Sequence, residues 1–363
     1  MKKYTRLSNI MLLCALGSIS RSSVGSCGSN VLIGGDFRYR HELIDAEGEE
    51  ARNRHRIRAR FHIDTAINDE ITVGARLATG GDDPVSTNQT LDNGFSTKDI
   101  RLDRAFMTWQ PTAVPDLAVR GGKMGSPFAS PAKTELIWDS DLSPEGVSLR
   151  YSRDAGVAGL TVNAACLWVD ERSSGDDGMI FGGQGIASVP ADIAGITLGI
   201  GYYDYQGAQG QSTFYDTGES FGNSVDAGGA YLYDYDELEV FGELTPNGLG
   251  IDTSVFADYV VNIADDVDGK TAWLAGAALG KCKDQGDIGL RYCYRRAESD
   301  ALVGAFTDSD FIGGGTDGKG HELNINYQAA SKTTLCATYF YNKTAIDDGN
   351  DYHRVQFDVQ MKF

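Results

Sequence analysis

Apolar and polar side chains alternate strictly over the last residues of the chain. Successive side chains on a β-strand point to opposite faces, so this alternation predicts a strand with one apolar and one polar face. The apolar positions are Val355, Phe357, Val359, Met361 and Phe363. The polar positions are Arg354, Gln356, Asp358, Gln360 and Lys362. Taken alone, the pattern fits a half-buried strand of a soluble sandwich as well as a strand of a membrane barrel.

The same period of two recurs along the whole chain, in segments bounded by Gly, Asp, Asn or Pro. It predicts sixteen strands. Their spans are 30–44, 53–67, 70–80, 99–110, 116–124, 147–154, 159–171, 179–188, 195–206, 230–244, 249–262, 271–281, 286–298, 321–329, 333–343 and 351–363. Seven short connections alternate with eight longer, more acidic ones. A soluble sandwich has no reason to keep this alternation, whereas a barrel with short periplasmic turns and longer extracellular loops does.

The second predicted strand shows which face would meet water. Arg54, Arg56, Arg58 and Arg60 share one face, and apolar residues such as Ile57 occupy the other. An arginine facing lipid at the middle of a membrane costs about 2–4 kcal/mol. These side chains must therefore face water or acids. The prediction is an all-β, transmembrane, antiparallel up-and-down barrel of about sixteen strands, with apolar faces to lipid and charged faces to a lumen.

Composition supports a barrel and excludes a helical membrane protein. The chain has 363 residues, of which 41% are hydrophobic, and Tyr (17) and Phe (15) far outnumber Trp (4). No sufficiently long uncharged apolar run follows the N-terminus, so transmembrane helices are not expected. Residues 1–26 combine a charged start with a short apolar stretch and predict a signal peptide with an approximate cleavage site. Residues 27–363 would then form a single barrel domain. A buried N-terminal helix and a lipoprotein signal ending at Cys27 are the alternatives.

Charge and candidate chemistry narrow the function further. A net charge of −19 argues against non-specific binding of nucleic acid. The cysteines have no CxxC spacing, which argues against a zinc site. The acidic loops have no EF-hand spacing, so neither a metal nor a cofactor is predicted. The five histidines (His41, His55, His62, His321 and His353) show no pairing with a nucleophile, so no catalytic residue and no enzyme activity is predicted.

Three stretches resemble the "putative porin" family of Gram-negative outer membranes. They are Leu77–Gly80 with the following Asp82–Thr90, Asp99–Phe106 running on to Gly121–Met124, and Trp138–Gly146. The close matches cover about residues 50–152. The resemblance implies an outer-membrane diffusion porin, in contact with outer-membrane lipid and lipopolysaccharide and assembled as a homotrimer. It implies no particular solute.

By this resemblance, loop 125–146 folds inward and narrows the channel. The predicted loop acids are Glu135, Asp139, Asp141 and Glu145. The predicted pore-lining residues are Arg38, Arg40, Arg54, Arg56, Arg58, Arg60, Arg76, Arg120 and Arg150. Acids that face a basic wall would set a transverse field across the narrowest point. The alternative is that these acids solvate a surface loop and that the arginines pair with acids on neighbouring strands.

The predicted function is passive diffusion of small hydrophilic solutes and ions through a water-filled channel. Acidic outer loops favour cations at the mouth and the arginine row favours anions inside, and anion preference is expected at the narrowest point. Two alternatives remain open. One is a channel specific for an anion or a nutrient, and the other is a closed barrel with a structural or adhesive role.

Overall fold

The computed structural model describes residues 31–173, 175–347 and 349–363. The predicted signal peptide, residues 1–26, and Cys27 lie outside this range. Sixteen antiparallel strands form one closed sheet. In chain order they are β1 (Val31–Ala46), β2 (Arg52–Ala66), β3 (Ile71–Thr79), β4 (Ile100–Trp109), β5 (Leu117–Lys123), β6 (Glu145–Asp154), β7 (Gly159–Asp170), β8 (Gly178–Pro190), β9 (Ala194–Gln206), β10 (Tyr235–Pro246), β11 (Thr253–Asn262), β12 (Thr271–Leu279), β13 (Ile288–Ala297), β14 (Gly318–Ala330), β15 (Thr333–Thr344) and β16 (Asp351–Lys362).

Each strand pairs with its sequence neighbours, and β1 also pairs with β16 to close the barrel. At this seam, the backbone of Phe363 exchanges two hydrogen bonds with Gly35, at N–O distances of 3.1 and 3.2 Å. A two-residue strand, Gln89–Thr90, pairs with β2 inside a loop. Two 3-10 turns, Pro131–Lys133 and Gly304–Phe306, also lie in loops. In the part of the chain described, no helix is long and apolar enough to cross a membrane.

The connections at one end of the barrel are predicted to be short and those at the other end long. Four of the long set (80–99, 124–144, 207–234 and 298–317) are much longer than any other connection, whereas the remaining four overlap in length with the short set. The short ones are 67–70, 110–116, 155–158, 191–193, 247–252, 280–287 and 331–332. The long ones are 47–51, 80–99, 124–144, 171–177, 207–234, 263–270, 298–317 and 345–350. All connections of the long set lie at one end of the barrel, because neighbouring strands run antiparallel and these are every second connection along the chain. The predicted strands beginning at 230 and 249 start later, at Tyr235 and Thr253, since the residues before them belong to connections.

The outer wall is apolar and the inner wall is polar on many strands. On β1, Phe37 and Tyr39 are exposed, whereas the intervening Arg38 and Arg40 are buried. Because the sheet is closed, exposed alternate residues point outward and buried ones point into the barrel. An apolar outer band around a polar interior is the arrangement that a lipid bilayer requires.

The barrel interior is divided into two halves. The half lined by β7–β12, here called the aromatic half, is filled by an apolar core that includes loop residues from 124–144, 207–234 and 298–317, with the acids Glu237, Glu239 and Asp258 buried beside it. The half lined by β1–β6 and β14–β16, here called the charged half, carries most of the buried arginines and their partners. β13 lies at the boundary, since it contributes Cys293 to the apolar core and Arg295 to the charged side. Half of the interior is therefore packed like the core of a soluble protein.

Ring stacking holds the loops in the aromatic half. Phe306 stacks on Tyr205 and Phe214 at centroid distances of 6.5 and 5.9 Å. Trp138 stacks on Phe128 at 5.7 Å. Such offset and edge-on pairs add to the free energy gained by burying the rings. The loops are thus fastened inside the barrel by apolar packing on this side.

Candidate functional site

Loops 80–99, 124–144 and 298–317 converge on the charged half of the interior. Their contacts with the wall are made by short polar side chains, chiefly Asp141, Asn88 and Asp310. Ser309 joins two of the loops to each other, since its N–H donates to Asp139 at 3.0 Å. The predicted inward loop is therefore one of three that meet here.

Asp141 lies directly against the arginines of β2. Its carboxylate is 2.9 Å from Arg60 and 3.6 Å from Arg58. It also accepts hydrogen bonds from the N–H and the hydroxyl of Thr87, at 3.2 and 3.0 Å. Burial opposes ionisation of this carboxyl, but the two guanidinium groups outweigh it and hold its pKa below the usual range. Asp141 is thus an anion that docks loop 124–144 onto the basic wall.

Asp36 on β1 balances the same two arginines from within the sheet. Its carboxylate is 3.0 Å from Arg58 and 2.7 Å from Arg60. Each arginine is therefore shared between one strand acid and one loop acid. Because the loop acid touches the arginines, the positive and negative charges are in contact and leave no space for a solute between them.

Arg40 on β1 connects the seam to loop 298–317. Its guanidinium makes two hydrogen bonds of 2.8 Å to Asp358 on β16 and one of 3.0 Å to Asp310. Arg38 lies 3.9 Å from Asp358 and hydrogen bonds to Asn88. Parallel bonds from a guanidinium to a carboxylate are strong and directional, so Arg40 fixes both the seam and the loop.

Glu42 and Asp310 form a second charged junction. Glu42 is fully buried and binds Arg54 on β2 and Arg354 on β16. Arg354 in turn lies 2.6 Å from Asp310. Burial opposes ionisation of Asp310, but Arg354 and Arg40 outweigh it and lower its pKa. Loop 298–317 is thus docked by an acid in the same way as loop 124–144.

The remaining predicted pore-lining arginines differ in their surroundings. Arg76 pairs with Asp103 of β4. Arg120 donates to Thr108 at 3.1 Å and lies over the ring of Phe106. Arg150 is half-buried on β6, and no ion pair to a loop acid forms there among the described residues. Within the described part of the chain, Arg56 also has no carboxylate partner.

Two of the predicted loop acids lie away from the arginines of β1 and β2. Glu135 and Asp139 gather with Asp308 of loop 298–317, and one carboxylate oxygen from each lies within 4.8 Å of the others. Burial and neighbouring carboxylates raise the pKa of all three, to about 8 for Glu135. Arg295 pairs with Asp308 at 3.0 Å. Three oxygens at this spacing could hold a hard divalent cation, but their raised pKa values and the contact with Arg295 already reduce their repulsion.

Glu145 lies on the outer wall of the barrel, away from the other predicted loop acids. Its prediction as an acid of the constriction loop is therefore wrong. It is the first residue of β6 and shares the exposed, outward face with Val147 and Leu149. Its carboxylate pairs with Lys123 at 2.9 Å. The strand begins two residues earlier than predicted, and this places Glu145 on the face opposite to Ser148.

Two cavities open into the charged half on either side of Asp310. The inner cavity is lined by Arg40, Arg291, Arg295, Glu322 and Asp358, among others. The outer vestibule, a cavity of about 330 Å³, is lined by Arg52, Arg54, Arg56, Arg354, Glu49, Glu50, Asp83, Ser86 and Ser309, among others. Arg40 lines one cavity and Arg354 lines the other, and Asp310 binds both. The ion pairs of Asp310 therefore form the partition between the two spaces.

The sequence interpretation did not include Asp308, Asp310, Glu42 or Asp36 among the site residues. Glu42 and Asp36 share the parity of Arg38 and Arg40 on β1, and this signal could have identified them. The two loop acids gave no such signal, because nothing in the sequence of residues 299–320 indicates that the segment folds inward.

A closed sixteen-stranded barrel with an apolar outer wall and a charged interior defines the class of outer-membrane β-barrel channels. Residues 44–229 and 230–363 match the family described as "Putative porin", and the chain belongs to that family. The family and its fold are those of non-enzymatic channels for passive diffusion across the outer membrane. Among curated protein sequences, none matches this chain.

Solved structures share the fold at low sequence identity. OprB from Pseudomonas putida matches with a TM-score of 0.63 and 14% identity, over 92% of this chain and 94% of its own. A mutant of Rh. blastica porin matches with a TM-score of 0.53 and 13% identity, over 92% of this chain and 100% of its own. The barrel is therefore similar to known porins along almost its whole length.

Proposed function

We propose that solutes cross this channel along the charged half of the barrel, past Asp310 and the arginines of β1, β2 and β16. The observation that carries the proposal is the pair of polar cavities on either side of Asp310, opposite a packed aromatic half. Water and hydrated ions need open space between polar walls. In the aromatic half, buried rings and aliphatic side chains fill that space, and its wall acids Glu237 and Glu239 are covered. The channel serves small hydrophilic solutes and ions.

The lumen in this proposal is lined by arginine and narrowed by inward acids. Asp141 and Asp310 neutralise the arginines that they touch, so these pairs restrict the route by occupying space. Positive charge remains where an arginine has no acid beside it. This residual charge supports a preference for anions over cations inside the channel.

The test is ion current through the purified protein in a planar bilayer. Arg58→Ala removes one side of the contact with Asp141, so we expect a changed single-channel conductance or reversal potential. Arg153→Ala is the matched control, since Arg153 is exposed at the short-turn end of β6. A reversal potential and current equal to those of the wild type in Arg58→Ala would contradict the proposed route.

A closed barrel is the second candidate, and the inward packing of several loops favours it. Swelling of liposomes with small sugars separates the two. Swelling supports a pore, whereas intact barrels that give neither swelling nor current support a structural or adhesive role.

The proposed setting is the outer membrane of a Gram-negative cell, with lipopolysaccharide around the long-loop end and three copies forming a homotrimer. Membership of the porin family supports this setting. Chemical cross-linking in native membranes tests the trimer, and a single monomeric band would contradict it.

A further inference from the structure

Arg56 is an exception in the arginine row of β2. Arg54 pairs with Glu42, and Arg58 and Arg60 share Asp36 and Asp141. Arg56 forms no ion pair with any described residue. It lies between arginines that are already neutralised, and its own charge is not balanced by a contact.

The Arg56 side chain is also incompletely hydrogen-bonded. Its Nε is buried and has no partner among the described residues. Its Nη2 makes only a long contact of 3.4 Å with the hydroxyl of Ser86. Leaving a charged donor without a partner costs more than leaving a neutral one, so a group that supplies an acceptor would stabilise this site.

The outer vestibule gives an acceptor access to Arg56. Arg56 and Ser86 both line this cavity, and its volume of about 330 Å³ suits a small solute. Ser86 accepts hydrogen bonds from Asn88 at 3.2 and 3.4 Å, and its own hydroxyl hydrogen has no acceptor among the described residues. A guanidinium and a free hydroxyl therefore offer donors into one space.

The charges around the vestibule limit which anion fits. Glu49, Glu50 and Asp83 also line it, so an extended polyanion would meet repulsion. Burial raises the pKa of Asp83, which reduces the repulsion at that carboxyl. A guanidinium binds the planar edge of an oxyanion through two parallel hydrogen bonds, which a spherical anion cannot match.

We propose that Arg56, with Ser86, forms a binding subsite for one oxyanion group of a small solute, a carboxylate or a phosphate. The inference rests on the proposed channel function and adds a defined ligand class and position to it. In this view Arg56 slows the passage of oxyanions by binding them briefly in the outer vestibule, before they reach the partition at Asp310.

The experiment measures single-channel conductance against salt concentration in potassium chloride, acetate and phosphate. We expect conductance to saturate in acetate or phosphate and to rise nearly linearly in chloride. The salt with the lower half-saturating concentration identifies whether carboxylate or phosphate is preferred. In Arg56→Gln that concentration should rise at least about tenfold, the change expected when one charge-assisted hydrogen bond is lost.

Two further variants make the result specific. Arg56→Lys keeps the charge but loses the two-pronged geometry, so it should keep the wild-type reversal potential and lose saturation. Arg296→Gln removes an arginine paired with Glu298 on the outward face near the same end of the barrel, and should behave as wild type. Its fold and that of the Arg56 variants are compared by circular dichroism.

The outcomes separate the two proposals. If wild type and Arg56→Gln give the same currents in all three salts, the subsite is overturned and the channel stands. If Arg56→Lys saturates as the wild type does, recognition of the guanidinium geometry is overturned. If well-folded wild type conducts no ions, the proposed channel function itself fails.

Discussion

The two halves of the barrel interior hold the same loops by different physical means. In the aromatic half, loop rings such as Phe306 and Trp138 pack against strand residues in an apolar core. In the charged half, Asp141 and Asp310 of two loops bind arginines of the wall. The gain from apolar burial does not depend on the protonation of the buried rings, whereas the contacts of the charged half depend on the ionisation of their partners. One side anchors the loops, and the other sets how they respond to conditions.

The largest expected effect comes from emptying the aromatic half. Phe306→Ala removes a buried ring that stacks on two neighbours, and such truncations cost about 3–5 kcal/mol. The N–H of Asp139 also donates to the carbonyl of Phe306, so loop 124–144 should loosen together with loop 298–317. Hydrogen–deuterium exchange should become faster in both loops.

The matched control is Phe357→Ala on the outer wall, where the ring is 53% exposed. It removes the same side chain from the opposite face of the sheet, so exchange in the two loops should stay at the wild-type rate. Faster exchange in the control alone would show that the packing of Phe306 does not anchor the loops.

A smaller effect is expected from one charged contact. Asp141→Asn keeps the shape but removes the anion between Arg58 and Arg60, which still have Asp36, so docking should weaken by about 1–3 kcal/mol. Exchange should quicken in loop 124–144, and single-channel conductance should rise. The control is Glu145→Gln, which removes the exposed ion pair between Glu145 and Lys123. Such a pair contributes less than about 1 kcal/mol to stability. Equal effects of the two variants would contradict the separate roles of these acids.

The smallest effect is a dependence on pH. Glu135 has its pKa raised to about 8 from an ordinary value of 4.5, and Asp139 and Asp308 are raised as well. Their neutral forms favour the docked loops, so this contribution is complete below about pH 4.5 and is lost as pH rises through about 8. Asp141 and Asp310 add no pH dependence in this window, because their lowered pKa keeps them ionised throughout it.

Two quantities are measured at pH 5, 7 and 9: the noise of the single-channel current and the rate of hydrogen–deuterium exchange in the loops. The exchange rates are corrected for the intrinsic effect of pH on exchange. We expect more frequent fluctuations at high pH in the wild type and a flatter profile in Glu135→Gln. Fewer current fluctuations and slower loop exchange in the wild type at high pH would show that ionised carboxylates stabilise the cluster instead.

The barrel was predictable because side chains alternate between the two faces of a strand. Lipid on one face and the lumen on the other therefore require apolar and polar residues in alternation. The alternation of Arg54–Arg60 with apolar residues located β2 to within one residue at each end. The short connections indicated that consecutive strands are neighbours in the sheet. The family match confirms the porin class. The position of Glu145 could also have been read, since it has the parity of Val147 and Leu149 on the outward face.

The packing of the loops could not be predicted in the same way. Loops have no period, so Phe306 and Trp138 look no different in sequence from aromatics at a membrane interface. Tyr203, Tyr231 and Tyr235 lie in the buried core of the barrel, whereas the neighbouring Tyr202 is exposed on the outer wall. Which acid meets which arginine likewise depends on contacts between residues that are distant in the chain.

The position of the seam has a consequence for the order of assembly. The pairs Arg40–Asp358 and Glu42–Arg354 join residues more than three hundred positions apart, whereas the wall of the aromatic half consists of consecutive hairpins. Contacts between distant residues form slowly because the intervening chain must first be ordered. We therefore expect the aromatic half to form early in folding. The charged half, which carries the proposed route for solutes, can be completed only when the first and last strands meet.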